Sequence, residues 1–95
     1  MNEHARVSKG KPFELDLSGT FIRRADLSNA NLERADLSNA DCTNANFRGA
    51  NFKDAVLNGT ILRGADLTDA KNLTHDQIDK AILDTMTKLP GYLQK

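Results

Sequence analysis

The chain has a single cysteine among 95 residues, so no internal disulfide can staple it. Thirteen acidic residues balance thirteen basic ones, and this formal charge of zero argues against a nonspecific polyanion binder and equally against an acidic decoy. Nowhere is there an apolar run long enough to span a membrane, and residues 1–12 lack the apolar core of a signal peptide. These absences give the expectation of one cytoplasmic domain. Chemical motifs are missing too: there is no Gly-rich phosphate loop, no paired Cys/His motif and no zinc-ligand spacing. The expectation is therefore no enzyme activity, no cofactor and no metal.

What the chain does have is a repeat. From Leu15 to Ala70 one pattern recurs every five residues through eleven consecutive steps, beginning L-D-L-S-G, T-F-I-R-R, A-D-L-S-N. The third place is always apolar: Leu17, Ile22, Leu27, Leu32, Leu37, Cys42, Phe47, Phe52, Leu57, Leu62 and Leu67. The first place is Ala in eight of the eleven, with Leu15, Thr20 and Thr60 as exceptions. On an α-helix five residues advance by roughly 500°, so successive apolar residues would lie about 140° apart and share no face. On an extended segment residues two apart point the same way, and the first and third places both face inward. The fifth place is Gly, Asn or Asp in nine of the eleven steps, residues that accept positive φ or make local turns; Arg24 and Arg34 depart from this. Short walls separated by corners wind into a coil, and stacked coils pair as parallel strands do.

Unbroken A(D/N)LXX steps, such as A-D-L-S-N, A-N-L-E-R and A-N-F-R-G, resemble the pentapeptide repeat family. The resemblance implies an all-β solenoid, a right-handed quadrilateral β-helix with four steps per coil. Four per coil is not readable from the spacing alone. With it, residues twenty apart stack in columns and the array makes just under three coils. The inward columns become Leu17, Leu37, Leu57; Ile22, Cys42, Leu62; Leu27, Phe47, Leu67; and Leu32, Phe52, with Asn72 where a third apolar residue is due. The expected divisions are an N-terminal arm and cap at 1–14, the β-helix at 15–70, and a C-terminal helix and tail cap at 71–95. Val7 and Phe13 are candidates to cover the first coil, and His4 reads as a solvated residue of the arm.

One wall differs from the others. Stacking residues 20–24, 40–44 and 60–64 puts Phe21, Asp41 and Ile61 in one outward column, where other steps mostly carry Asp or Asn; Val56 and Lys71 are the other deviations. Arg23, Thr43 and Arg63 lie beside it, with Arg24 on the adjoining corner. An apolar pair flanked by arginines suits the centre and rim of a protein interface, so Phe21, Arg23, Arg24, Ile61 and Arg63 are the candidate contacts. Cover by the chain's own termini is the alternative for Phe21 and Ile61. Thr20 and Thr60 point inward and need acceptors, most simply backbone carbonyls. Cys42 reads as a small buried hydrophobe.

After Ala70, Thr74 and Gln77 form a capping box, with Leu73 and Ile78 at the spacing of a hydrophobic staple. The spacing predicts a helix whose stripe of Ile78, Ala81, Ile82 and Met86 lies on the open end of the last coil. Leu89, Tyr92 and Leu93 then dock the tail after Pro90 and Gly91 end regular structure. L-T-x-x-Q, Leu89-Pro90 and Leu93 also resemble the tail of many bacterial family members. His75, Asp76 and Asp79 are explained as a helix start rather than a metal cluster.

A convex rod with a filled interior offers no pocket for catalysis. The expected function is a small non-enzymatic interaction module with an unidentified protein partner, and a homodimer would extend its thin core. The alternative implied by the resemblance is a DNA mimic that binds gyrase or topoisomerase. Zero net charge and a short rod weigh against that, direct nucleic-acid binding is not expected, and neither is a membrane partner.

Overall fold

In the computed structural model, which describes residues 15–94, each five-residue step is a short extended wall ending in a turn. The N–H of the first place donates back to the carbonyl three residues earlier, as from Ala25 to Ile22 at 3.2 Å and from Ala65 to Leu62 at 3.1 Å. A type II turn closed in this way needs positive φ at its third residue, and that residue is the fifth place of the step. All eleven fifth-place residues have φ between 58° and 70°. Arg24 at 61° and Arg34 at 59° adopt the same conformation as the glycines and asparagines around them. The neighbouring coils impose it there, against a steric cost of about 1–2 kcal/mol for a side chain bearing a Cβ. At Gly59 the requirement is double, because a Cβ would lie 2.3 Å from Asn39 Oδ1 of the coil before it.

Second-place residues pair in parallel at an interval of twenty, which resolves the array into four walls. The first wall carries Asp16, Asp36 and Val56; the second Phe21, Asp41 and Ile61; the third Asp26, Asn46 and Asp66; the fourth Asn31, Asn51 and Lys71. Each pairing is made by two bonds. On the third wall, for example, Leu27 N–H donates to the Asn46 carbonyl at 2.7 Å and Asn46 N–H to the Ala25 carbonyl at 2.9 Å. From Gly19 to Gly49 each fifth-place N–H adds a backbone bond to the next coil, as from Asn29 to Arg48 at 2.7 Å.

Inside the tube, Leu32, Leu37, Cys42, Phe47, Phe52, Leu57, Leu62 and Leu67 are buried, and the alanines from Ala35 onward fill the space beside them. Phe47 and Phe52 meet across a corner with ring centroids 5.3 Å apart, in a tilted arrangement. Leu17, Ile22 and Leu27 are only half-buried, although they occupy the same inward place. Among the described residues they have a coil on one side only. The arm at 1–14, with Val7, Phe13 and His4, lies outside the described residues.

Beyond Ala70 the register slips twice, so that Ile61 pairs with Ile82 at an interval of 21 and Asp66 with Lys88 at 22. Asn72, with φ 61°, makes an extra corner and its Nδ2 donates to Asn51 Oδ1. Leu73, one residue late, is the side chain buried in its stead. Helix α1, His75–Lys80, starts at the Thr74/Gln77 capping box. It is shorter than the predicted stripe requires. Ile78 and Ala81 do pack on the core, but Ile82 is back in extended backbone paired with Ile61, and Met86 is 67% exposed. The chain leaves the helix because Leu62 N–H and Leu67 N–H still need acceptors, which the Ile82 and Lys88 carbonyls supply at 2.7 Å each. Ile82 thus extends the second wall and Lys88 the third. Leu93 is buried, and Tyr92 ties the tail down by donating to the Ala70 carbonyl and accepting from Leu73 N–H. No helix among the described residues is long and apolar enough to cross a membrane.

Candidate functional site

The second place of each step has a structural task. Where it is Asp or Asn, its Oδ1 accepts the N–H of the fourth place, two residues on. That N–H points away from both neighbouring coils, so the side chain satisfies a donor the ladder cannot reach. The choice between Asp and Asn follows the fourth place. Asp16, Asp26, Asp36, Asp41 and Asp66 also accept a hydroxyl from Ser18, Ser28, Ser38, Thr43 and Thr68. Asn31, Asn46 and Asn51 stand before Glu33, Arg48 and Lys53, which have no hydroxyl to give. A hydroxyl donor favours the ionised acceptor. Hydroxyl and N–H bonds from Ser28 hold the Asp26 carboxyl below its ordinary range. Burial alone would raise Asp66, but the bonds from Thr68 and Arg48 outweigh it and leave its carboxyl lowered as well. This pairing was present in the sequence as D-x-S/T against N-x-E/R/K, and reading the second place only as a polar exterior missed it.

Against this frame, Phe21, Val56 and Ile61 are costly choices, because none of their side chains can accept the N–H of Arg23, Asn58 or Arg63. Each gives up a hydrogen bond with a net value of about 0.5–1.5 kcal/mol. Phe21 and Ile61 share the second wall, with Asp41 between them. Phe21 is 85% exposed, so nothing in the described chain covers it, while Ile61 is half-buried beside Ile82. Ile82 adds an apolar residue to this column that the helical reading of the tail had placed elsewhere. Arg23 Nε lies 3.5 Å from Asp41 Oδ2. Thr43 hydroxyl and N–H bonds lower the Asp41 carboxyl, Arg23 and Arg63 lower it further, and burial opposes them. Arg23, Arg24 and Arg63 are exposed. The structure therefore brings all five predicted contacts to one wall and its corner, as an apolar column with a basic rim and Asp41 inside it.

The inward groups behind this wall are inert. Thr20 Oγ1 donates to the Leu17 carbonyl at 2.7 Å, and Thr60 Oγ1 to the Leu37 carbonyl at 2.6 Å. Burial first, and then the neighbouring Asp41 carboxylate, push the Cys42 thiol up to about 12, which keeps it protonated and un-nucleophilic at neutral pH. At helix α1, Gln77 Nε2 donates to the Phe52 and Ala55 carbonyls, so the capping-box side chain also binds the coil beneath. Among the described residues no group of His, Cys, Asp or Glu side chains could hold a metal ion. Two open clefts lie on the described surface, one of about 470 Å³ lined by Ser28, Arg48, Asp69 and Lys71 and one of about 510 Å³ lined by Lys53, Asp54, Asp76 and Gln77.

A sequence model of pentapeptide repeats matches residues 14–41 and 35–71 with eight copies, more than half of the chain. No curated protein matches it. Among solved structures, a pentapeptide repeat protein from the cyanobacterium Cyanothece 51142 superposes with a TM-score of 0.65 at 24% identity, over 85% of this chain and 67% of that one. A pentapeptide repeat protein of the Arabidopsis thaliana thylakoid lumen matches with a TM-score of 0.33 at 21% identity, over 81% of this chain and 56% of that one. The cyanobacterial similarity is one of fold.

Proposed function

Because the chain belongs to the pentapeptide repeat family, whose fold is the right-handed β-helix, we propose that it is a small non-enzymatic module whose second wall binds a protein partner. One observation carries this reading. Phe21 and Ile61 stand on one wall at places where Asp or Asn would hold a backbone N–H. Stability alone favours the polar residue there, so a separate use for the apolar side chains accounts for them. The rim of Arg23, Arg24 and Arg63 suits a partner that offers an apolar side chain flanked by carboxylates. In this reading the array is just under three coils, and α1 with the tail is its C-terminal cap. The bonds of Gln77 and the pairing of Ile82 and Lys88 support that role.

The test follows from the frame itself. Phe21→Asn and Ile61→Asn restore the acceptor for Arg23 and Arg63 N–H, so the double variant is expected to melt at the same temperature or higher. In affinity capture from the native cell it should lose a partner that the wild type retains. Identical capture profiles would remove the second wall from consideration. The balanced charge supports a protein partner over imitation of duplex DNA, and protection in a gyrase supercoiling assay would reverse that preference. Light scattering across concentrations separates a second copy from a different partner, since a constant monomer mass excludes the homodimer.

A further inference from the structure

Val56 is the third residue to depart from the Asp/Asn frame, and it lies one wall away from Phe21 and Ile61. It is 40% exposed and gives up the Asn58 N–H for no contact within the described chain. Its wall is unlike its neighbour. The first wall stacks Asp16 and Asp36 above Val56, and its fourth places hold only serine and asparagine, so the surface is flat and carries no basic side chain. Both carboxylates are fixed by the N–H and hydroxyl of the serine two residues on. The second wall has three arginines against the single carboxylate of Asp41. Gly19, Asn39 and Gly59 form the corner between the two walls, and it is uncharged, whereas Arg24, Asp69 and the pair Arg34 and Asp54 mark the others.

We propose that the second wall binds the first wall of a second copy of this chain, with the two tubes parallel and Val56 of one copy against Ile61 of the next. The proposal rests on the second wall being a contact surface and names what covers it. Val56 and Ile61 occupy the same coil, so parallel tubes at equal height bring them together. In that register the exposed ring of Phe21 meets small side chains, and Asp16 and Asp36 of the second copy stand opposite the arginine column. Asp41 is already met by Arg23 at 3.5 Å. Helix α1, past the end of the first wall, adds only Asp79 and the Asp76–Lys80 pair to the charge there.

Such a joint is head-to-tail, because each copy offers a different wall, and head-to-tail contacts close into rings when the rotation allows. Adjacent walls of a four-sided tube look out roughly a quarter-turn apart, so four copies close around the corner of Gly19, Asn39 and Gly59. Small, uncharged residues at that corner suit a place where four chains meet. One joint between walls about 20 Å on a side buries roughly 800 Å² over both copies, below the roughly 1,200–2,000 Å² of stable pairs, and two joints per copy reach that range.

Light scattering of the full chain across concentrations tests this. The mass is expected to rise from 10.4 kDa towards four times that value. Val56→Asn should raise the midpoint concentration by about tenfold or more. It should not lower the melting temperature, because it gives Asn58 N–H the acceptor that Asn31 and Asn46 supply in their own steps. Arg23→Glu should weaken assembly likewise, and Lys53→Glu, on the fourth wall, should leave it unchanged. A constant monomer mass would overturn the proposal while leaving the second wall free for a different partner in the capture experiment. A species that stops at two copies, or assembly indifferent to Val56→Asn, would overturn it as well, since either requires a contact other than first wall on second. Assembly that falls with Val56→Asn but survives Phe21→Asn combined with Ile61→Asn would remove the second wall itself.

Discussion

The two ends of this β-helix are built from the same step and end differently. At the C-terminal end Leu57, Leu62 and Leu67 are almost wholly buried, because residues 71–94 supply backbone partners and cover the last turn. In the first described coil Leu17, Ile22 and Leu27 stand at the same inward places and are only partly buried. An apolar residue at the third place is thus enough to face inward but not enough to be buried. Burial comes from the coil above and the coil below, as the quasi-one-dimensional nature of a solenoid requires.

Truncations break the comparison most sharply. Phe47→Ala, in the middle of the tube, should cost about 3–5 kcal/mol in chemical denaturation. Leu17→Ala should cost clearly less, because part of its side chain is already in water. An equal loss at both sites would mean that the first coil is covered as fully as the second. Next comes the tail. Gln77→Ala strips donors from the Phe52 and Ala55 carbonyls and should cost about 1–3 kcal/mol, and Tyr92→Phe should cost less, by loss of the bonds to Ala70 and Leu73. A tail that contributes nothing to closure would leave both midpoints unmoved.

A smaller effect of opposite sign is expected at the corners. Arg24→Gly relieves a φ of 61° and should stabilise by about 1 kcal/mol. Its Cβ is the origin of the strain, so Arg24→Ala should not stabilise. The smallest effect is that of pH. Asp26 and Asp66 carboxyls are lowered from 3.8 in the folded chain, so their contribution is present above pH 4 and is lost as pH falls through the folded values. The denaturation midpoint should therefore fall between pH 5 and pH 3, and Ser28→Ala or Thr68→Ala should flatten that slope.

Much of this architecture was legible in the sequence, for a specific reason. The inward and corner places are set by local geometry that repeats every five residues, so even Arg24 and Arg34 follow the corner that Gly and Asn announce elsewhere. The number of walls was not legible that way, because a period of five is silent about how many steps close a turn; it came from family resemblance. The tail misled for another reason. Ile78, Ala81, Ile82 and Met86 do have helical spacing, yet unpaired N–H groups at Leu62 and Leu67 draw the chain back into the ladder after Lys80. A slip of one residue between Ile61 and Ile82, and of two between Asp66 and Lys88, hides that return from any fixed-period reading. Of the candidate wall, the stacking of Phe21, Asp41 and Ile61 was legible. The hydrogen bonds that Phe21 and Ile61 forgo were not, because they depend on where the fourth-place N–H points.

The duty of the second place also sets how this surface can diversify. In the steps that carry Asp or Asn at the second place, two of the three outward positions are occupied by folding itself, one by holding a backbone N–H and one by bending the chain. The fourth varies most, giving up only a hydroxyl bond to the second-place Asp where Ser or Thr is replaced, and Ser18, Arg23, Glu33, Arg48, Asn58 and Arg63 show the range it already spans. The molecule is therefore a grid with one writable character per step, spaced about 4.8 Å between coils. Side chains can be exchanged along it without rewriting the tube.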